Sequence, residues 1–113
     1  QAGIEKFVML SSMGADNPSQ NKELEVYLQA KQNADEHLRA SGLGYSIVRP
    51  GQLTNENGKG RIELGFKLSK SGSISRADVA KTLVELLDSD VMQNQTFELL
   101  EGETSIENAV RLN

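Results

Sequence analysis

A chain of 113 residues carries enough for one modest core, and 12 basic against 16 acidic residues leave it with a net charge of −4. The basic residues do not cluster, which disfavours a nucleic-acid surface, since phosphate binding needs concentrated Lys and Arg. With no Cys and a single His, His37, there are no disulfides, thiol nucleophiles or Cys- or His-built metal sites, and no metal is expected.

The first residues read as the end of a helix. Ala2-Gly3-Ile4 puts Gly at the left-handed position after a helix and an apolar residue beyond it. Such a cap needs a helix before it, so residues 1–113 are expected to form the C-terminal part of a larger domain. Phe7-Val8-Met9-Leu10 is a continuous apolar run ending in Ser11-Ser12, the pattern of a strand covered on both faces, as in parallel sheets. Met13 to Asn21 is polar, with Gly14 and Pro18, and predicts a loop.

From about Gln20 to Ala40 the pattern turns helical. Leu24, Tyr27, Leu28, Lys31, Ala34 and Leu38 fall on one stripe, opposite Glu23, Glu25, Gln29, Gln32, Asn33 and Glu36. Gly42 fits the position just past its end. Tyr45–Arg49 reads as a second buried strand stopped by Pro50-Gly51, so strand, helix and strand make a βαβ unit. Gln52–Gly60 predicts a loop, Arg61–Phe66 a short strand and Lys67–Gly72 a polar connection. Ser75 with Asp78 three residues on predicts a capped helix that sends Val79, Ala80, Leu83, Val84, Leu86 and Leu87 toward a core. Thr96–Leu100 predicts a third strand, and Ser105 caps a last short helix through Val110. No apolar run approaches the ~18 residues of a membrane span and no signal peptide is legible, so a soluble cytoplasmic protein is expected.

The candidate chemistry lies in Ser12, Tyr27 and Lys31. Tyr-x-x-x-Lys on a helix puts phenol and ammonium on one face. A phenol is a poor acid or base near neutral pH, and a cation one turn away favours its ionised form. A Ser hydroxyl at the end of the preceding strand can then hydrogen-bond the carbonyl that the phenol protonates. The bland alternative is a core-edge Tyr27 with Lys31 lying over it. His37 reads as a solvated side chain. Arg49 reads as a structural anchor of the following loop rather than a phosphate ligand, and Arg76 and Asp78 read as helix-capping residues.

Three segments stand in one ordered series: Phe-Val-Met-Leu-Ser-Ser-Met-Gly-Ala-Asp at 7–16, Tyr-Leu-Gln-Ala-Lys at 27–31, and Ser-Gly-Leu-Gly-Tyr-Ser-Ile-Val-Arg-Pro-Gly at 41–51. Ile74-Ser75-Arg76-Ala77-Asp78-Val79-Ala80 continues it. The series resembles the atypical short-chain dehydrogenase/reductases, an NAD(P)H-binding group with sugar-nucleotide epimerase and dehydratase-like members. The resemblance covers nearly the whole chain. It implies an α/β fold, the C-terminal half of a doubly wound Rossmann-type parallel sheet, and NADP (or NAD) as cofactor.

By position, the resemblance implies that Ser12 is the catalytic hydroxyl, with Ser11 as fallback and as a cofactor neighbour. Tyr27 would be the proton donor or acceptor. Lys31 would hold the nicotinamide ribose, and Pro50, Gly51 and Gln52 would form the turn beside the nicotinamide. No Gly-rich phosphate loop occurs in the chain. The group carries it after its first strand, which predicts about 90–100 further residues upstream by analogy with the doubly wound fold. The expected partners are the dinucleotide and a small substrate. The enzyme reading competes with a non-catalytic NAD(P)H-binding sensor and with a free-standing α/β interaction module.

Overall fold

In a computed structural model that describes residues 7–20, 22–42, 44–87 and 94–112, the apolar runs flanking the long helix lie side by side. The helix end expected at Gly3 falls outside the described residues. Along the chain run β1 (Phe7–Leu10), α1 (Glu25–Ala40), β2 (Tyr45–Pro50), β3 (Gln52–Thr54), β4 (Arg61–Gly65) and β5 (Ser73–Ser75). There follow α2 (Arg76–Leu87), β6 (Gln95–Glu101), β7 (Thr104–Ser105) and α3 (Ile106–Leu112). The expected α/β class holds. β1, β2 and β6 are parallel neighbours, with Leu10 opposite Val48 and Val48 opposite Phe97.

Beyond β6 the sheet changes direction. β4 pairs antiparallel with β6 and with β7, giving the order β1-β2-β6-β4-β7 among the described residues. Apolar runs cannot announce strand direction, so this reversal was invisible in the sequence. The loop expected from Gln52 to Gly60 also needs correction. Its first residues form β3, which pairs in parallel with β5 as a separate two-stranded sheet.

Alternation along β2 and β6 separates two faces. Val48, Phe97 and Leu99 join Ile62, Leu64 and Ile74 in a core closed by Val79 and Leu86 of α2 and Ile106, Ala109 and Val110 of α3. Each Val, Leu, Ile or Phe among them, fully buried, contributes roughly 1.5–3 kcal/mol. Ile47 and Arg49 point the other way, and Arg49 meets α1. Helices therefore lie on both faces of the parallel strands, as in a Rossmann-type fold. β1, expected to be covered on both faces, sits at the edge of the described sheet with Phe7 and Leu10 exposed and Val8 and Met9 half-buried.

Both long helices rotate slightly from expectation. The predicted stripe on α1 included Leu24, Tyr27 and Ala34, but its buried residues are Leu28, Asp35 and Leu38, and Leu24 and Tyr27 are about half exposed. The apolar pattern places Ala34 inward, yet Asp35 occupies the interior because it finds a cation there. Before α1 the chain makes two 3-10 turns, Pro18–Gln20 and Lys22–Leu24, and no side chain caps the helix at Leu24. On α2, Ala80, Val84 and Leu87 are exposed, while Thr82 is buried with its hydroxyl donating to Asp78 O. Ser75 caps α2 through the Asp78 N–H as predicted, and Ser105 caps α3 through the Asn108 N–H. The Asp78 carboxylate does not complete a capping box; it accepts the N–H groups of Lys59 and Gly60 instead.

Candidate functional site

The ends of β1 and β2 stay joined past the regular ladder. Ser11 N–H donates to Val48 O at 2.6 Å and Met13 N–H to Pro50 O at 3.0 Å, which fixes Ser12 between two bonded positions. Ser12 and the Pro50-Gly51-Gln52 turn, far apart in sequence, line one cleft of about 740 Å³ together with Leu24 and the Ser71–Ser73 segment. That volume falls in the ordinary range of small-molecule sites, and the cleft opens where the parallel strands end, the usual ligand position in such sheets.

The floor of the cleft is tightly built. Gly51 N–H donates to Leu99 O and Gln52 N–H to Gly72 O. A Cβ on Gly51 would stand 2.5 Å from Gly72 O and 2.6 Å from Leu100 Cδ2, so no side chain fits there without a shift. Ser12 is half-buried, and its hydroxyl donates to Met13 O at 3.3 Å.

Tyr27 and Lys31 share a face of α1, with the Lys31 ammonium 5.6 Å from the Tyr27 ring centroid. Lys31 Nζ also donates to Leu10 O at 3.4 Å, tying the helix to the last residue of β1. Neither lines the cleft; Leu24, one turn before Tyr27, does, and Tyr27 is 51% exposed. The structure thus brings together Ser12, Pro50, Gly51 and Gln52, and pairs Tyr27 with Lys31 on the flank.

Ser11 differs from Ser12. It is buried, and its hydroxyl donates to Asp35 Oδ2 at 2.8 Å. The same oxygen accepts Arg49 Nε at 3.2 Å and Nη2 at 2.9 Å. Asp35 was missed in the sequence, because a carboxylate between Ala34 and Glu36 reads as helix surface. The one available signal was its spacing, four residues beyond Lys31 on the face that carries Tyr27. Arg49, expected to hold the loop after it, is paired with Asp35 of α1 instead, and Arg76 donates to Asn55 Oδ1 at 2.9 Å rather than capping α2.

Beside the cleft, Asp16 and Lys67 form an exposed ion pair at 3.1 Å. The Lys67 hydrogen bond holds the Asp16 carboxyl below its ordinary value, and Asp16 in turn raises Lys67. The donor set suits a nicotinamide riboside: a neutral cleft carrying the Gln52 amide and the Ser12 hydroxyl, and a flanking ammonium whose three N–H groups can serve Leu10 and ribose hydroxyls together.

The chain is similar to proteins named as epimerases and oxidoreductases. An uncharacterized sugar epimerase of Bacillus subtilis, YhfK, is 45% identical over 111 residues, covering 97% of this chain and 51% of that protein. A Bacillus halodurans structure bearing the name of an NAD-dependent epimerase/dehydratase superposes with a TM-score of 0.94 at 42% identity, covering 98% of this chain and 53% of that one. The oxidoreductase YlbE of Lactococcus lactis superposes with a TM-score of 0.84 at 30% identity, covering 96% and 52%. The chain spans about half the length of these relatives. A family model described as NAD(P)H-binding matches residues 1–90, across β1, α1, β2 and the cleft between them, and the chain belongs to that NAD(P)H-binding family of oxidoreductase- and epimerase-like proteins.

Proposed function

We propose that this chain supplies the nicotinamide-side and substrate-side half of an NAD(P)-dependent oxidoreductase or epimerase-like enzyme. Its substrate would be a small carbonyl or alcohol, sugar-nucleotide types included, with NADP or NAD as cofactor. One observation carries the reading: Ser12 and the Pro50–Gln52 turn line a single cleft at the carboxyl ends of two parallel strands, while Lys31 is anchored at the last residue of β1.

A bound nicotinamide would supply or accept the hydride. Ser12 hydrogen-bonds the substrate oxygen, and Tyr27 delivers a proton to that oxygen in reduction or removes one in oxidation. Lys31 would hold the ribose hydroxyls. Pro50, Gly51 and Gln52 would hold the nicotinamide ring, with the Gln52 amide able both to donate and to accept. Ser12 takes the hydroxyl role in preference to Ser11, whose hydroxyl is committed to Asp35.

The test is Tyr27→Phe in the full-length protein, which removes one hydroxyl and little packing. General acid–base catalysis is worth about 10²–10⁴ in rate, and turnover followed by NAD(P)H absorbance should fall by that order. NADPH binding should stay almost unchanged in Tyr27→Phe and weaken in Lys31→Ala. Parental turnover in Tyr27→Phe would make Tyr27 a packing residue. The sensor reading draws on one observation, the exposure of Tyr27 outside the cleft lining, and would then take precedence.

A further inference from the structure

Beneath the cleft lies a buried charge pair to which the proposed chemistry assigns no part. Asp35 is fully buried, and the Arg49 side chain is 9% exposed. Three donors from two strands converge on Asp35 Oδ2: the Ser11 hydroxyl from the end of β1, and Arg49 Nε and Nη2 from the end of β2. The other oxygen, Oδ1, is buried with no hydrogen-bond partner among the described residues. Stability alone does not explain such an arrangement. Desolvating two charges offsets most of their attraction, a half-satisfied carboxylate adds to the cost, and apolar side chains of similar volume are often at least as stable.

What the pair does have is location. Each strand residue that reaches Asp35 directly precedes a cleft residue: Ser11 precedes Ser12, and Arg49 precedes Pro50. Asp35 itself stands one helical turn beyond Lys31, so its tether also sets the height of α1 against the two strands. We propose that Asp35 is a positioning residue, which through Ser11 and Arg49 locks the ends of β1 and β2 to α1 and so sets Ser12 and the Pro50–Gln52 turn relative to Tyr27 and Lys31. Apolar packing would hold the same elements together with more than one sliding register. A carboxylate oxygen shared by three directed donors has one geometry.

The effect on turnover rests on the function proposed above; the effect on the strand ends does not. The experiment replaces the whole network by apolar groups, Ser11→Ala/Asp35→Leu/Arg49→Met, in the full-length protein, so that no buried charge is stranded. Melting temperature, amide hydrogen exchange and NADPH-dependent carbonyl reduction are measured together. The melting temperature should stay within a few degrees of the parent. Protection of the Ser11 and Met13 amides should fall at least about tenfold, while that of Phe97 and Leu99 in β6 holds. Turnover should fall about 10–100-fold, the scale set by an ångström-sized misplacement of a reacting group.

Unchanged protection at Ser11 and Met13 in a stable variant would overturn the proposal. So would protection lost across the whole sheet together with a collapsed melting temperature, since the pair would then be a general stabiliser. Should the triple variant not accumulate as folded protein, Ser11→Ala decides. It removes one tether only, and should lower Met13 protection and turnover several-fold, whereas parental values in both would sink the idea. A parent that neither binds nor oxidises NADPH would refute the proposed function and leave Asp35 to be judged on exchange alone.

Discussion

Two regions of this molecule bury an aspartate, and they do so for different ends. Asp78, in the first turn of α2, has both carboxylate oxygens engaged: Oδ2 accepts Lys59 N–H and Oδ1 accepts Gly60 N–H, each at 2.9 Å. Asp35, in the middle of α1, concentrates every contact on one oxygen and draws them from side chains. The first fastens a connection to a helix start through backbone donors that any sequence would supply. The second depends on two particular side chains on two strands. A satisfied carboxylate at a helix start is a structural fastener, whereas one bonded through a single oxygen beneath the cleft is, in the role proposed for Asp35, a device that defines geometry at some cost in stability.

Deleting charge in each region sharpens the contrast. Asp35→Asn should have the largest effect, because Arg49 is left buried without a counter-charge; a loss of about 3–5 kcal/mol is expected by urea denaturation. A loss below 1 kcal/mol would mean that Arg49 finds another partner or reaches water, and the contrast with Asp78 would fail.

Asp78→Asn should cost less, about 1.5–3 kcal/mol at neutral pH, the worth of charge-assisted hydrogen bonds. Its pH dependence has a definite sign. Burial by itself would raise Asp78, but the Lys59 and Gly60 N–H bonds, the Ser75 hydroxyl and the Lys81 charge outweigh it and hold the carboxyl below the ordinary carboxylate range. The group binds its proton more readily when unfolded, so its stabilisation is complete above the ordinary carboxylate range. It fades as pH drops through the folded value. The parent and Asp78→Asn should therefore converge in stability in acid, and a constant gap down to the acid limit would show that shape rather than charge is at stake.

The smallest effect is expected for Ser75→Ala, which removes the cap on the Asp78 N–H. About 1 kcal/mol is typical of such caps. Since Ser75 also touches the Asp78 carboxyl, the Ser75→Ala and Asp78→Asn losses should add to less than their sum in a double-mutant cycle. Strict additivity would break the view of this region as one fastener.

Much of the fold was legible. The three parallel strands, the helix between the first two, and the Ser75 and Ser105 caps all come from patterns a few residues wide, although the apolar run of β1 read as covered on both faces and leaves Phe7 and Leu10 exposed. The proposed site was legible in part: the sequence and its family resemblance single out Ser12, Tyr27, Lys31 and the Pro50–Gln52 turn, and the cleft gathers Ser12 with that turn. Tyr27 and Lys31 stand apart from its lining, on a helix turned so that Asp35 faces inward. Ser11 and Ser12 could not be told apart, because neighbouring residues on a strand end differ only in which face they meet.

By itself, then, the sequence determined what short-range physics determines: alternating or continuous apolar runs, a 3.6-residue period, a hydroxyl before a helix, a phenol and an ammonium one turn apart. Tertiary structure alone decided the antiparallel β4 and β7, the β3–β5 pair, and the burial of Asp35 against partners 24 and 14 residues away. Those contacts join distant residues, and apart from its spacing from Tyr27 and Lys31 nothing near Asp35 in the chain marks it as inward. A charged side chain is buried only when folding brings it a partner, so its place is a property of the assembled sheet and helix rather than of either segment.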